Sequence, residues 1–196
     1  MPPTLAALTE ALLDAANRAG AEAADALAVA GSSLTVDLRQ GRLEQAERAE
    51  GTEIGLRVLI GRRQACVSAS DTSAATIAAL AERAVAMARE APDDPTAGLA
   101  DPSQLARNTD ATALDLCDPS PEPTAAALEA EARAAEAAAL AASGVSQVET
   151  SASWSRLEMH LAATNGFHGG YARSSRSLSA TAFCGAGTGM ERDWAG

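Results

Sequence analysis

Between Gly31 and Asp71 the chain alternates apolar and polar residues with a period of two. Leu34, Val36 and Leu38 alternate with Thr35, Asp37 and Arg39, and Ile54, Leu56, Val58 and Ile60 repeat the pattern one segment later. Successive side chains of an extended strand point to opposite faces, so each segment presents one apolar face. Gly41, Gly51 and Gly61 recur every ten residues, where the chain is expected to reverse. Glycine tolerates the positive φ that tight hairpins need. The stretch therefore predicts an antiparallel meander whose apolar face is covered by helices before and after it. Arg42 to Glu50 is rich in helix formers. Nine residues between two glycines are too few for a stable isolated helix. A charged edge strand is the better reading there, since charge discourages edge-to-edge pairing.

The flanking segments supply the helices. Leu5, Leu8, Leu12 and Ala16 share a helical face, with Thr4 as N-cap after Pro2-Pro3 and Gly20 closing the helix. Ala24 to Ala30 reads as a first short strand. Asp71, Thr72 and Ser73 offer N-caps to a second helix, whose stripe is Ile77, Leu80, Ala84 and Met87 and whose end is marked by Pro92. Pro92 to Pro123 is rich in proline and aspartate and reads as a connector, with one short element at Ala111 to Leu116. An alanine-rich helix follows over Thr124 to Ala142, with Leu128, Ala132, Ala135 and Ala139 on one face and Glu129 and Arg133 as an i,i+4 pair. Alternation then returns. Val148, Thr150, Ala152 and Trp154 share one strand face, and Leu157, Met159 and Leu161 share another. Thr164-Asn165-Gly166 marks a turn, and Leu178 to Phe183 and Met190 to Trp194 are further strands.

The expected fold class is α+β. An antiparallel β-meander covered by helices is followed by an Ala-rich helix and a second, incomplete antiparallel sheet. Residues 1–110 form the first module and 111–196 the second. The last strand has no closing element after it, which reads as truncation.

The net charge of −11 is a poor match for a phosphate backbone or an anionic membrane. No apolar run approaches a membrane span. Glu10 and Asp14 interrupt any would-be signal segment, and no basic n-region precedes it. Cys66, Cys117 and Cys184 are scattered and odd in number, which argues for reduced thiols in a cytosol.

No catalytic, cofactor-binding or metal-binding residue is assigned. A zinc-peptidase helix needs two histidines about one turn apart and a Glu to activate the bound water. His160 and His168 are eight apart across the Asn165-Gly166 turn, and they read as surface or strand-end residues. Gly185 to Gly189 lacks the following helix that a phosphate loop requires, so it reads as a hairpin turn. Glu44, Glu47, Glu50 and Glu53 alternate faces as a solvated edge, and Arg57, Arg62 and Arg63 read as a charged turn. Cys66 and Cys184, in apolar strands, are expected to be buried thiols. The serines between Arg173 and Ser179 have no Ser–His–Asp grouping.

Several of these segments resemble a known family. R-x-G-x-L-E (Arg39, Gly41, Leu43, Glu44), E-G-x-x-x-G-L-R-V (Glu50, Gly51, Gly55 to Val58) and S-A-S-D (Ser68 to Asp71) look like the first module of the TldD/PmbA metallopeptidases. T-N-G-F (Thr164 to Phe167), the serine-rich Arg176 to Ser179 and G-M-E-R-D-W (Gly189 to Trp194) look like its second module, closer to the PmbA (TldE) branch. The resemblance implies an N-terminal, non-catalytic portion of a subunit that processes unstructured peptides in the cytoplasm. It also implies a TldD-like partner carrying the zinc on an H-E-x-x-x-H helix, or self-association, and neither nucleic acid nor membrane as partner. The alternatives are an acidic protein–protein interaction module without a role in proteolysis and a non-functional gene fragment.

Overall fold

The computed structural model describes residues 3–196, so Met1 and the Pro2 of the expected leader to the first cap lie outside the described residues. The elements are α1 (Leu5–Ala19), β1 (Ala23–Arg39), β2 (Arg42–Ile60), β3 (Arg63–Ala69), α2 (Ala74–Glu90), α3 (Ala125–Leu140), β4 (Val145–Ala163), β5 (His168–Cys184) and β6 (Glu191–Ala195). The class is α+β, with a six-stranded antiparallel sheet in the order β3-β2-β1-β4-β5-β6. Short 3-10 turns lie at Pro102–Gln104, Thr112–Leu114 and Gly187–Gly189.

Two of the three glycines reverse the chain. Gln40 and Gly41, at φ 50 and 71, make a two-residue hairpin between β1 and β2, and Gly61, at φ 58, turns β2 into β3. Gly51 does not turn. It lies inside β2, which runs unbroken for 19 residues. Likewise Ala24 to Ala30 is not a separate strand but the first half of β1. The alternation reports which face is buried. It is silent on strand length, because glycine also accepts extended backbone.

The described residues fall into two compact units built from interleaved segments. The first takes residues 3–31, Gly51–Leu116 and Leu157–Ala172; the second takes Ser32–Glu50, Cys117–Arg156 and Arg173–Gly196.

In the first unit α1 and α2 cover one sheet face. Thr4 caps α1 by accepting the Ala7 N–H, and Gly20 ends it at φ 96. Leu8, Leu12, Ala16, Ile77, Leu80 and Val85 pack on Ala24, Ala26, Ala28, Ile54, Leu56 and Val58, all buried. Small alanines on β1 let the helices approach closely. Met87, expected in the stripe, is 47% exposed, and Val85 and Ala88 hold the buried positions instead. Ten residues make about 2.8 helical turns, so Met87 stands about 80° round the helix from Ile77, at the margin of the buried face.

In the second unit α3 alone covers the sheet. Leu128 and Ala132 meet Leu34, Val36, Leu38 and Ala152, with Trp154 packed beside them. The third position facing inward on α3 is not alanine but Glu136, which is 4% exposed.

Candidate functional site

Among the described residues, polar chemistry and concave surface gather in regions that each lie within one unit.

The first is the edge of β2 in the second unit. All seven residues of β3 are spent on Ile54 to Ile60. Arg42 to Glu50 therefore has no β3 partner, and every residue in it is exposed. The expected charged edge strand is present. Its side chains are tied sideways. Arg39 pairs with Glu44 at 3.7 Å and Glu149 at 3.3 Å, and Arg48 pairs with Glu50 at 2.6 Å and Glu122 at 2.9 Å. Hydrogen bonding to Glu122, then to Glu50, raises the Arg48 guanidinium well above its ordinary value, and Arg48 in turn holds the Glu122 carboxyl low. The backbone of this edge is left for a partner.

The second is the β1–β2 hairpin tip. Glu136 accepts the Gly41 N–H at 2.7 Å and Arg133 donates to the Gly41 carbonyl at 2.8 Å, so α3 grips both polar groups of the turn glycine. Arg133 is itself positioned by Glu129 one turn earlier.

The third is the ionisable group on the first unit's sheet. Arg57 donates to Asp25 at 2.7 Å and to Gln64 at 3.2 Å. It sits mid-strand and half-buried rather than on a turn, which corrects the sequence expectation; Arg63, on the turn side, pairs with Asp93 and donates to the Arg89 carbonyl. Cys66 lies opposite Arg57 in the ladder and is exposed, contrary to the buried thiol expected. Its neighbour Ala65 takes the inward position, so alternation alone puts Cys66 outside. Cys184 is half-buried.

His160 is half-buried in β4, not at a strand end or on the open surface, and its Nδ1 lies 2.8 Å from the Thr9 hydroxyl of α1. The Thr9 hydroxyl also lies 2.9 Å from the Ala6 carbonyl, to which it can donate. The ring pins α1 to the sheet. His168 is exposed at the start of β5. Among the described residues no group of three or more His, Cys, Asp or Glu side chains is placed to hold a metal. Gly185 to Gly189 forms the turn between β5 and β6. A Cβ at Gly185 would stand 2.4 Å from the Gly189 carbonyl oxygen, so the turn admits only glycine there. Of the serines between Arg173 and Ser179, Ser174 accepts the Asp118 N–H.

The fourth region is a cavity of about 290 Å³ in the first unit, between Ala106–Leu114 and the β4–β5 hairpin, with mainly apolar walls. Nothing in the sequence patterns marked it, because the connector that closes it has no periodicity.

Comparison with known proteins gives these features a family. The model described as PmbA/TldA metallopeptidase domain 1 matches residues 24–88, and that described as PmbA/TldA metallopeptidase central domain matches residues 117–196. The chain belongs to the PmbA/TldD metallopeptidase family. Its fold recurs in a Bacteroides thetaiotaomicron protein described as a candidate modulator of DNA gyrase, at 20% identity and TM-score 0.79, covering 96% of this chain and 43% of that one. It recurs in TldE from Thermococcus kodakarensis at 12% identity and TM-score 0.74, covering 96% and 42%. A Thermotoga maritima protein, also described as a candidate DNA gyrase modulator, aligns at 12% identity and TM-score 0.66, covering 97% and 42%. The chain thus spans less than half the length of these PmbA/TldD-fold structures. No curated protein matches it in sequence. The metal that the family's description as metallopeptidases implies finds no fitting donor set among the described residues of this chain.

Proposed function

We propose that this chain is the N-terminal, non-catalytic portion of a PmbA/TldE-like subunit that handles extended peptides for a zinc-bearing TldD-like partner in the cytoplasm. The observation that carries the reading is the bare backbone edge of β2 over Arg42 to Glu50, in a chain whose family is metallopeptidase. An extended peptide can add to such an edge through main-chain hydrogen bonds, which bind without demanding a particular sequence. The ion pairs along it keep the side chains off the edge and discourage self-pairing. The chain supplies walls and a docking edge, and hydrolysis belongs to the metal-bearing subunit.

The test is proline substitution at Ala46 in one variant and Ala49 in another. The two positions are an odd number of residues apart, so their N–H groups point to opposite edges, and one of the two removes an outward donor. Peptide turnover by the full assembly should fall about tenfold in that variant, the scale of one lost charge-free hydrogen bond with its register. Unchanged turnover in both refutes the docking edge. Failure to co-purify with a TldD-like chain would favour an acidic interaction module instead.

A further inference from the structure

The cavity of the first unit is built by two glycines and a strap. A Cβ at Gly169 would lie 3.0 Å from the Cβ of Thr109, and one at Gly170 would lie 2.2 Å from the Met159 carbonyl oxygen. Bare backbone at Gly169 therefore seats the connector on the hairpin, and Asn165 ties it again by donating to the Ala100 carbonyl at 2.9 Å. Seated this way, the connector still leaves about 290 Å³ open against Met159, Leu161, Phe167 and Tyr171, with Ala111 and Leu114 on its own side. Leu161, Tyr171 and Leu114 are 37%, 39% and 64% exposed, so the apolar walls meet solvent in a concave surface. Concave apolar surface of this kind marks ligand sites, and its volume, at the small end of their range, takes one large side chain with room to spare.

The rim sets the polarity. Asn108 accepts the Asp110 N–H and Asp110 accepts the Thr112 N–H, so both side chains are fixed by their own turns. Asp110 is the carboxylate among the lining residues. Hydrogen bonds from Thr112 hold it below the usual carboxylate range, and it is charged at neutral pH. We propose that this cavity receives one aromatic or large branched side chain of an extended peptide that carries a basic residue next to it, the basic group meeting Asp110. The proposal rests on the peptide-handling reading above and adds to it a side-chain preference.

The probes are fluorescein-labelled Gly-Gly-Xaa-Lys-Gly-Gly peptides with Xaa as Phe or Ala, and the same pair with Glu in place of Lys, titrated against the full chain. Burying one phenylalanine side chain is expected to favour the Phe-Lys peptide over Ala-Lys by roughly tenfold or more. Phe-Glu should bind more weakly than Phe-Lys. Ala111→Phe fills the space from the exposed connector and should erase the Phe-over-Ala ratio with an unchanged melting curve. Asp110→Asn should erase the Lys-over-Glu preference and keep the Phe-over-Ala ratio, which provides a second route should Ala111→Phe misfold. Equal binding of the Phe and Ala peptides overturns the proposal, as does a ratio that survives Ala111→Phe. Equal competition by free N-acetylphenylalaninamide overturns it in favour of a small-molecule pocket. The proline variants of β2 should leave the Phe-over-Ala ratio intact, so loss of the docking edge, read as peptide turnover by the full assembly, and loss of the pocket, read as this ratio, are separate outcomes.

Discussion

The two units are held by different physics. In the first, two helices bury a continuous set of Leu, Ile, Val and Ala side chains, and Leu12, Ala16, Ala26, Val58 and Ala84 have no exposed surface. In the second, Leu128 and Ala132 of one helix cover four buried strand residues, Leu34, Val36, Leu38 and Ala152, and two of the buried side chains nearby are Glu136 and Thr150. Ion pairs Arg48–Glu122 and Arg176–Glu131 join elements of the second unit that its apolar cluster does not. The difference teaches that the same strands support an apolar core on one stretch and a polar clasp on another. Cavity-forming substitutions should therefore hurt the first unit most, and removal of polar partners the second.

The largest effect is expected in the first unit. Leu12→Ala removes a fully buried side chain among well-packed neighbours and should lower unfolding free energy by about 2–5 kcal/mol. Urea denaturation measures it, and hydrogen exchange should show the lost protection in α1 and Ala23 to Gly31. If protection falls instead throughout Ser32 to Glu50, the two units do not respond separately and the comparison fails.

Next in size is Glu136→Ala. It leaves the Gly41 N–H without its acceptor, at a cost of about 1–3 kcal/mol. Glu136→Gln keeps an acceptor and should cost less. Exchange of the Gly41 amide reports the clasp directly: it should accelerate in the alanine variant and stay slow in the glutamine one. Unchanged exchange in both would reduce the clasp to coincidence and leave α3 held by Leu128 and Ala132 alone.

These two residues also show what was legible in the sequence. Leu12 was readable, because its spacing with Leu8 and Ala16 is the helical period and its burial follows from that. Glu136 was not. The pattern placed Ala135 and Ala139 on the inward face of α3, but in an alanine-rich helix the apolar stripe has no defined edge, so the true face can rotate by a residue. The same limit explains Met87. The strands of the sheet were read from alternation, and their lengths were not, since Gly31 and Gly51 accept extended backbone as readily as a turn. The pairing of His160 with Thr9 joins residues distant in sequence that no local pattern relates. The cavity beside Gly169 was invisible for the same reason: Thr109 and Gly169 meet only in the folded chain.

A smaller effect, of opposite sign, sharpens the picture of the second unit. The Thr150 hydroxyl is buried and has no hydrogen-bond partner. Thr150→Val keeps the shape, removes the stranded polar group and should gain up to about 1 kcal/mol. A rise in the urea midpoint without a change in slope checks it. A loss of stability would mean that the hydroxyl is satisfied in solution by water.

The smallest effect concerns pH and the first unit. Asp71 accepts hydrogen bonds from the Thr76 hydroxyl, the Ser73 N–H at 2.9 Å and the Ser73 hydroxyl at 3.0 Å, next to the Ser73 N-cap of α2. These bonds, the one from Thr76 foremost, hold its carboxyl below the ordinary aspartate value. A carboxyl whose folded pKa is depressed binds protons more readily when unfolded, so its contribution is complete above the unfolded pKa and is lost as pH falls through the folded one. Amide exchange in the first turn of α2, corrected for its intrinsic pH dependence, should therefore show loss of protection on acidification through that window. Asp71→Asn should flatten that dependence, while Ser73→Ala should lower protection at every pH by removing the cap itself, at about 1 kcal/mol. An unflattened profile in Asp71→Asn would assign the acid response to another carboxylate. Asp94 is then the one to test, since its own depressed value comes from Thr96 in the connector just beyond α2.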